Sequence, residues 1–144
     1  MTILQILDCA IERADLTTKE RAFIYIAQYT GMRRGEILAL SRQDIDFDLN
    51  LIHVRNVIVF DGTQAVFRPF PKSDAEIRDL PIPDLLRGYL SQYVASLPGL
   101  YLFEMERKSG FMTKSSYDKF WKHIIAKLNL GAAAKLNAFL EKSN

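Results

Sequence analysis

An extended, β-branched segment in the middle of an otherwise helical sequence constrains the fold more than any other feature. The segment LIHVRNVIVF, residues 51–60, is bounded by DLN before it and by the turn signal Asp61-Gly62 after it. A strand over 64–70 is predicted to pair back on it, and a third strand over 76–83 ends in a proline that favours a sheet edge. The pattern therefore predicts a small three-stranded antiparallel sheet between two groups of helices.

Helical periodicity fills the chain on both sides of these strands. Thr17 and Glu20 have the spacing of a capping box, and Gly31 is a natural helix terminator. Helices are predicted over 2–14, 15–31, 33–40, 83–97, 112–131 and 132–144. The order of elements predicts an α+β fold, mainly helical, in a single domain. Its predicted divisions are helical over 1–47, sheet over 48–83 and helical over 84–144.

The composition narrows the function classes. No apolar run approaches the length of a membrane span, and the N-terminus lacks the basic start and cleavage site of a signal peptide. The single cysteine, Cys9, excludes an internal disulfide and is typical of the reducing cytoplasm. Cys9, His53 and His123 have no metal-site spacing, so neither a metal nor another cofactor is expected. The net charge of +2 neither requires nor excludes a nucleic-acid partner.

Two cationic residues stand at turns where they can meet an anion. Arg33 follows a glycine turn at the start of a predicted helix, where a guanidinium suits a phosphate because its fork meets two oxygens at once. Lys72 lies in the loop between the second and third predicted strands, from which an ammonium can reach and protonate a leaving oxygen. Glu36, one turn after Arg33, is predicted to hold that arginine in place.

Three segments resemble the tyrosine recombinases of the phage-integrase type. TGMRRGEILALSRQDIDFD, from residue 30, resembles the first arginine box of that family. PKSDAEIRDLPIP, from residue 71, resembles its lysine hairpin. YLFEMERKSGFMTKSSYDKFWKHI, from residue 101, is similar to the Leu-Phe strand, glycine turn and aromatic helix that come next. The segments occur in family order and cover most of residues 1–130.

The resemblance implies a mechanism. In this family a tyrosine attacks a DNA phosphate and forms a 3′-phosphotyrosine link, two arginines stabilise the developing charge, and a lysine protonates the departing 5′ oxygen. Carried over residue by residue, Arg33 matches the first arginine, Lys72 the lysine and Glu36 the support of the arginine. Arg34 falls on a variable position and receives no catalytic role. The implied partner is double-stranded DNA.

The resemblance stops before the rest of the family's active site. The sequence contains no His-x-x-Arg box and no tyrosine after Tyr117, and the family's N-terminal core-binding domain has no counterpart in it. We therefore expect a partial, truncated catalytic domain that cannot cleave DNA alone. A stripe of Leu136, Phe139 and Leu140 is expected to cover the chain's own core or to dock into a neighbour. Self-association or binding to another recombinase protomer is expected either way.

Further residues have two interpretations each. Lys114, Lys119 and Lys122 form either the solvated face of an amphipathic helix or a set of phosphate contacts. Arg78 is either a DNA contact or, more simply, a strand residue facing solvent, and His53 is interpreted as an ordinary strand residue.

Two other function classes compete with the recombinase interpretation. A winged helix-turn-helix regulator needs an exposed, polar recognition helix, whereas Ile37, Leu38 and Leu40 in the candidate helix require burial. The other class is a non-catalytic scaffold that binds an intact recombinase, which co-purification with a full-length partner would favour.

Overall fold

The computed structural model describes residues 2–105, 108 and 110–128. In this part of the chain the helices are α1 (Ile3–Arg13), α2 (Thr18–Thr30), α3 (Arg34–Leu38), α4 (Asp84–Ser96) and α5 (Lys114–Leu128). The strands are β1 (Ile45–Asp46), β2 (Leu51–Val54), β3 (Asn56–Asp61), β4 (Gln64–Pro69) and β5 (Arg78–Pro81). The mainly helical α+β fold is confirmed. The helix predicted over 132–144, with its apolar stripe, lies outside the described residues.

The strands form two antiparallel sheets instead of the single one predicted. β1, β2 and β5 make a three-stranded sheet in that order, and β3 pairs with β4 in a hairpin. The predicted strand 51–60 is therefore two strands, which change partner at the exposed Arg55. Val54 pairs with Arg78 of β5, whereas Asn56 pairs with Pro69 of β4. The β-branched residues continue through Arg55 and favour a strand on both sides of it, so the sequence pattern does not show where the chain changes its pairing partner.

The N-terminal helices lead the chain into the region of Arg33. The Thr17 hydroxyl accepts from the Glu20 N–H at 3.1 Å, and the Glu20 carboxylate accepts from the Thr17 N–H at 2.8 Å, so the predicted capping box is present. Gly31 ends α2 with a φ of +68°, a left-handed conformation that favours glycine. Met32 then enters the core, and α3 begins directly afterwards.

The short helix α3 is pressed against β3. A Cβ atom on Gly35 would lie 2.5 Å from the carbonyl oxygen of Ile58, so only glycine allows this approach. Ile37, Leu38 and the following Leu40 are each at most 2% exposed. This burial excludes α3 as the exposed recognition helix of a winged helix-turn-helix protein.

The helix α5 packs over the same core from the C-terminal side. Phe23 of α2 contacts Phe120 edge-to-face at a centroid distance of 5.4 Å and lies 6.4 Å from the Trp121 ring. The Lys114 N–H donates to the Thr63 carbonyl in the β3–β4 turn at 3.0 Å, which fixes the start of α5 beside the hairpin. Among the described residues, none of the helices has the length and apolar character needed to cross a membrane.

Candidate functional site

Arg33 presents its guanidinium at the surface from a fixed backbone. Its N–H donates to Glu36 Oε1 at 3.0 Å, and its carbonyl accepts from the Ile37 N–H at 3.0 Å. Its side chain is 51% exposed, and Nη1 lies 3.4 Å from Glu76 Oε2. With five residues, α3 has little dipole attraction for an anion, so the charge at this position is mainly that of the guanidinium.

Glu36 supports Arg33 through the backbone and not through the guanidinium. The Glu36 carboxylate is fully buried and accepts two hydrogen bonds from Arg78, Nη1 to Oε2 at 2.8 Å and Nη2 to Oε1 at 3.0 Å. A buried carboxylate needs such a charged partner, because an unpaired one loses its hydration without compensation. Glu36 thus joins the start of α3 to β5, and Arg33 is left free to use its side chain elsewhere.

Arg78 makes contacts that neither interpretation drawn from the sequence included. Besides Glu36, its Nη1 donates to the Glu76 carbonyl at 2.7 Å and lies 3.7 Å from Glu76 Oε2. Hydrogen bonding to Glu36 raises the pKa of Arg78 above its usual value. Its side chain is 31% exposed, and its contact with DNA stays a prediction.

The loop between β4 and β5, which carries Lys72, contacts Arg33 through Glu76. The Asp74 N–H donates to the Pro71 carbonyl at 2.8 Å and the Glu76 N–H donates to Asp74 Oδ1 at 2.8 Å, so the loop has a defined turn structure. Lys72 is exposed on this turn. Because Glu76 contacts the Arg33 guanidinium, the loop that carries Lys72 is joined directly to the start of α3.

Glu76 is the site residue that the sequence interpretation missed. It connects the arginine of the first motif to the loop of the second, a pairing that depends on tertiary structure. One local signal was present, since Glu76 and Arg78 are two residues apart at the entry to a strand and so face the same side.

Arg34 lies against the aromatic rings of Tyr117 and Phe60. Its guanidinium carbon lies 5.4 Å from the centroid of Tyr117 in α5 and 5.9 Å from that of Phe60 in β3. Burial raises the pKa of Tyr117 to about 12, so this hydroxyl stays protonated at neutral pH. The two adjacent arginines therefore have different roles: one joins three elements of the core, and the other faces the Lys72 loop.

The lysines predicted to contact DNA lie on α5. Lys114 is at its first turn, where Nζ pairs with Asp118 Oδ1 at 2.6 Å and lies 5.9 Å from the Phe60 centroid. Lys119 and Lys122 are exposed further along the helix. Lys114 shares the Phe60 ring with Arg34, which places it near the start of α3, and its contact with DNA stays a prediction.

A separate cleft of about 730 Å³ lies between the start of α2 and α5. Its lining includes Lys19, Lys119, His123 and Lys127, and Lys127 pairs with the buried Glu20 at 2.7 Å. It does not include Arg33 or Lys72. Within the described part of the chain, no group of three or more His, Cys, Asp or Glu residues is arranged to hold a metal ion.

Comparison with known proteins finds similarity to integrases and recombinases. Residues 2–137 match the model of the phage integrase family. A 63-residue stretch is 40% identical to a putative prophage phiRv2 integrase of Mycobacterium tuberculosis, covering 44% of this chain and 16% of that protein. The chain thus spans about a sixth of the length of this curated relative.

Two solved structures share the fold. The integrase of the Tn1549 transposon, in complex with circular intermediate DNA, superposes with a TM-score of 0.71 at 20% identity, over 90% of this chain and 45% of that one. The XerA recombinase superposes with a TM-score of 0.65 at 21% identity, over 88% of this chain and 41% of that one. The matched region is less than half of either structure.

Proposed function

The chain belongs to the phage integrase family, and on that premise we propose that it is part of a tyrosine recombinase catalytic domain that binds the phosphates of double-stranded DNA. Arg33 and Lys72 are the residues that contact the phosphate at which a strand is broken and rejoined. The protein acts in the cytoplasm, in DNA integration and recombination.

The contact between Arg33 and Glu76 supports this proposal most strongly. It brings the exposed guanidinium to the loop that carries Lys72, so the two cations belong to segments that are far apart in sequence and in contact in the fold. The hydrogen bonds between buried Glu36 and partly exposed Arg78 join α3 to β5, the strand that follows this loop. Segments held together in this way need less reorganisation when charge develops on a phosphate.

Each proposed residue has a distinct chemical role. Arg33 donates hydrogen bonds to the non-bridging oxygens and stabilises the charge that develops as a nucleophile attacks phosphorus. Lys72 gives a proton to the 5′ oxygen as its bond to phosphorus breaks. In the reaction of the family the energy of the broken bond is kept in a covalent protein–DNA link, so no nucleotide cofactor is needed, and cationic side chains provide the charge that a metal would otherwise supply.

Tyr117 is enclosed in the core. Its side chain is 5% exposed and contacts the rings of Phe23 and Phe60. We therefore propose that this chain binds DNA but forms no covalent adduct with it. Association with another recombinase protomer, expected from the sequence, stays a prediction.

Fluorescence anisotropy with a labelled duplex, measured over a series of salt concentrations, tests the proposal. Arg33→Gln and Lys72→Gln are each expected to weaken binding by about three- to tenfold and to lower the salt slope by about 1, as loss of one phosphate contact predicts. Arg13→Gln, an exposed arginine at the end of α1, is the matched control and should change neither value. A suicide duplex that traps covalent intermediates should yield no adduct, and a tyrosine-dependent adduct would overturn the account of Tyr117.

A further inference from the structure

We infer that Glu76 is an internal competitor of the DNA phosphate at Arg33. Its carboxylate occupies the guanidinium in the DNA-free protein and must leave when a phosphate binds. The inference rests on the proposed function, since it takes DNA as the source of the phosphate.

The contact has the chemistry of a substitute ligand. Glu76 Oε2 lies 3.4 Å from Arg33 Nη1, and both side chains are partly exposed, at 38% and 51%. Carboxylate and phosphate oxygens bind a guanidinium through the same N–H groups. A phosphate that approaches this edge of Arg33 therefore meets a guanidinium already paired with a carboxylate, and is repelled by the negative charge of that carboxylate.

The position of Glu76 is fixed by its neighbours. Its N–H donates to Asp74 Oδ1 at 2.8 Å, and its carbonyl accepts from Arg78 Nη1 at 2.7 Å. Arg78 is itself held by the buried Glu36. The side chain thus starts from an anchored backbone, which distinguishes it from a surface carboxylate that meets an arginine by chance.

Displacement of Glu76 leaves no unpaired charge behind. When a phosphate takes Arg33, the Glu76 carboxylate keeps Arg78, whose Nη1 is already 3.7 Å away. Ion pairs between exposed groups contribute little free energy, so the dense negative charge of a duplex can displace the carboxylate, whereas a weak monovalent anion competes poorly. The same displacement breaks the ion pair that joins Arg33 to the Lys72 loop.

Duplex binding of charge-neutral variants tests this inference. Glu76→Gln keeps the shape of the side chain and should bind a labelled duplex about threefold more tightly than the unchanged protein, which is in the range expected for removal of one exposed ion pair. Glu12→Gln, an exposed carboxylate on α1, makes the same change in net charge and should give a clearly smaller gain. In the Arg33→Gln background, Glu76→Gln should give no more gain than Glu12→Gln. An equal gain from both glutamates, or a full gain without Arg33, would overturn the inference.

A second measurement does not depend on DNA. Titration with inorganic pyrophosphate, followed by the NMR signal of the Arg33 Nε–H group, should give a lower dissociation constant for Glu76→Gln than for the unchanged protein. Equal dissociation constants would overturn the competition. Tighter pyrophosphate binding, combined with duplex affinity that does not depend on Arg33, would support the competition and overturn the proposed function instead.

Discussion

Arg78 donates two hydrogen bonds, of 2.8 and 3.0 Å, to the buried carboxylate of Glu36. This pair joins α3, which begins directly after Arg33, to β5, which follows the loop that carries Lys72. The pair explains how an integrase-family chain fixes two distant motifs side by side. It also means that the first motif and the hairpin depend on each other for stability. The following predictions start from this relationship.

Arg78→Gln should lower the free energy of unfolding by about 2 kcal/mol. This loss is smaller than the loss expected on breaking a fully buried ion pair, because the arginine is partly exposed. The substitution leaves the Glu36 carboxylate buried without its guanidinium. Urea unfolding followed by circular dichroism measures the free energy of unfolding. Arg13→Gln removes an exposed arginine and should cost less than about 0.5 kcal/mol. A similar small effect for both variants would show that the pair does not hold the two motifs together.

Gly35→Ala should destabilise the protein by about 2 kcal/mol, because the added methyl group must push α3 away from β3. The new Cβ would lie 2.5 Å from the Ile58 carbonyl oxygen and 2.9 Å from Val57 Cγ2. Gly88→Ala is the matched control, since the methyl group there meets open space inside α4 and should stabilise by about 0.5 to 1 kcal/mol. If urea unfolding showed that both substitutions change the free energy of unfolding in the same direction, the close approach of α3 to β3 would be contradicted.

His53 makes stability depend on pH. Its ring lies between Asp79 of β5 at 2.6 Å and Asp46 of β1 at 3.2 Å, with Arg55 Nη2 3.4 Å away. The hydrogen bond to Asp79 raises the pKa of His53 above its model-peptide value of 6.5, against the effects of burial and of Arg55. A raised pKa means that the stabilisation is full below the unfolded-state pKa and is lost as pH rises through the folded-state pKa.

The free energy of unfolding of the unchanged protein should therefore be highest below pH 6.5 and fall as pH rises above it, and His53→Gln should flatten this fall. An NMR titration of the His53 imidazole gives its pKa directly. The prediction fails if this pKa is at or below 6.5, or if His53→Gln leaves the pH dependence of unfolding unchanged.

Lys127 should stabilise the helix pair α2 and α5 through Glu20. Burial by itself would raise the pKa of Glu20, but the hydrogen bonds from Lys127 and Thr17 outweigh it and lower the pKa below 4.5. A lowered pKa contributes stability above the unfolded-state pKa that is lost as pH falls. Lys127→Gln should lower the free energy of unfolding by about 1 kcal/mol at neutral pH and by less in acid. Lys122→Gln is the control and should lower the free energy of unfolding by less than Lys127→Gln at either pH. A loss from Lys127→Gln that does not change with pH would contradict this ion pair.

Local sequence determines some of these features and not others. The two ends of α2 were predictable from the sequence. Thr17 and Glu20 cap its start and Gly31 ends it, and such caps depend on residues only three or four positions apart. The change of strand partner at Arg55 was not predictable in this way, since both halves of the run favour a strand and the choice of partner depends on residues far along the chain.

The candidate site shows the same division. The resemblance to the integrase motifs pointed to Arg33 and Lys72, and their contact with a phosphate stays a prediction. The sequence did not show which residue each arginine contacts: Arg33 contacts Glu76, whereas Arg34 contacts Tyr117. Glu36, predicted to hold Arg33 in place, accepts the Arg33 backbone N–H, and its carboxylate also pairs with Arg78 of β5, a contact between residues far apart in sequence.

A double-substitution cycle on duplex binding tests the central claim most directly. Arg33→Gln, Lys72→Gln and the combined variant are compared by fluorescence anisotropy at low salt, with Arg13→Gln as the control. If Arg33 and Lys72 contact one phosphate, each single substitution weakens binding by about three- to tenfold and the pair weakens it by clearly less than the product of the two. Single substitutions that match Arg13→Gln, or losses that multiply fully, would contradict a shared phosphate site.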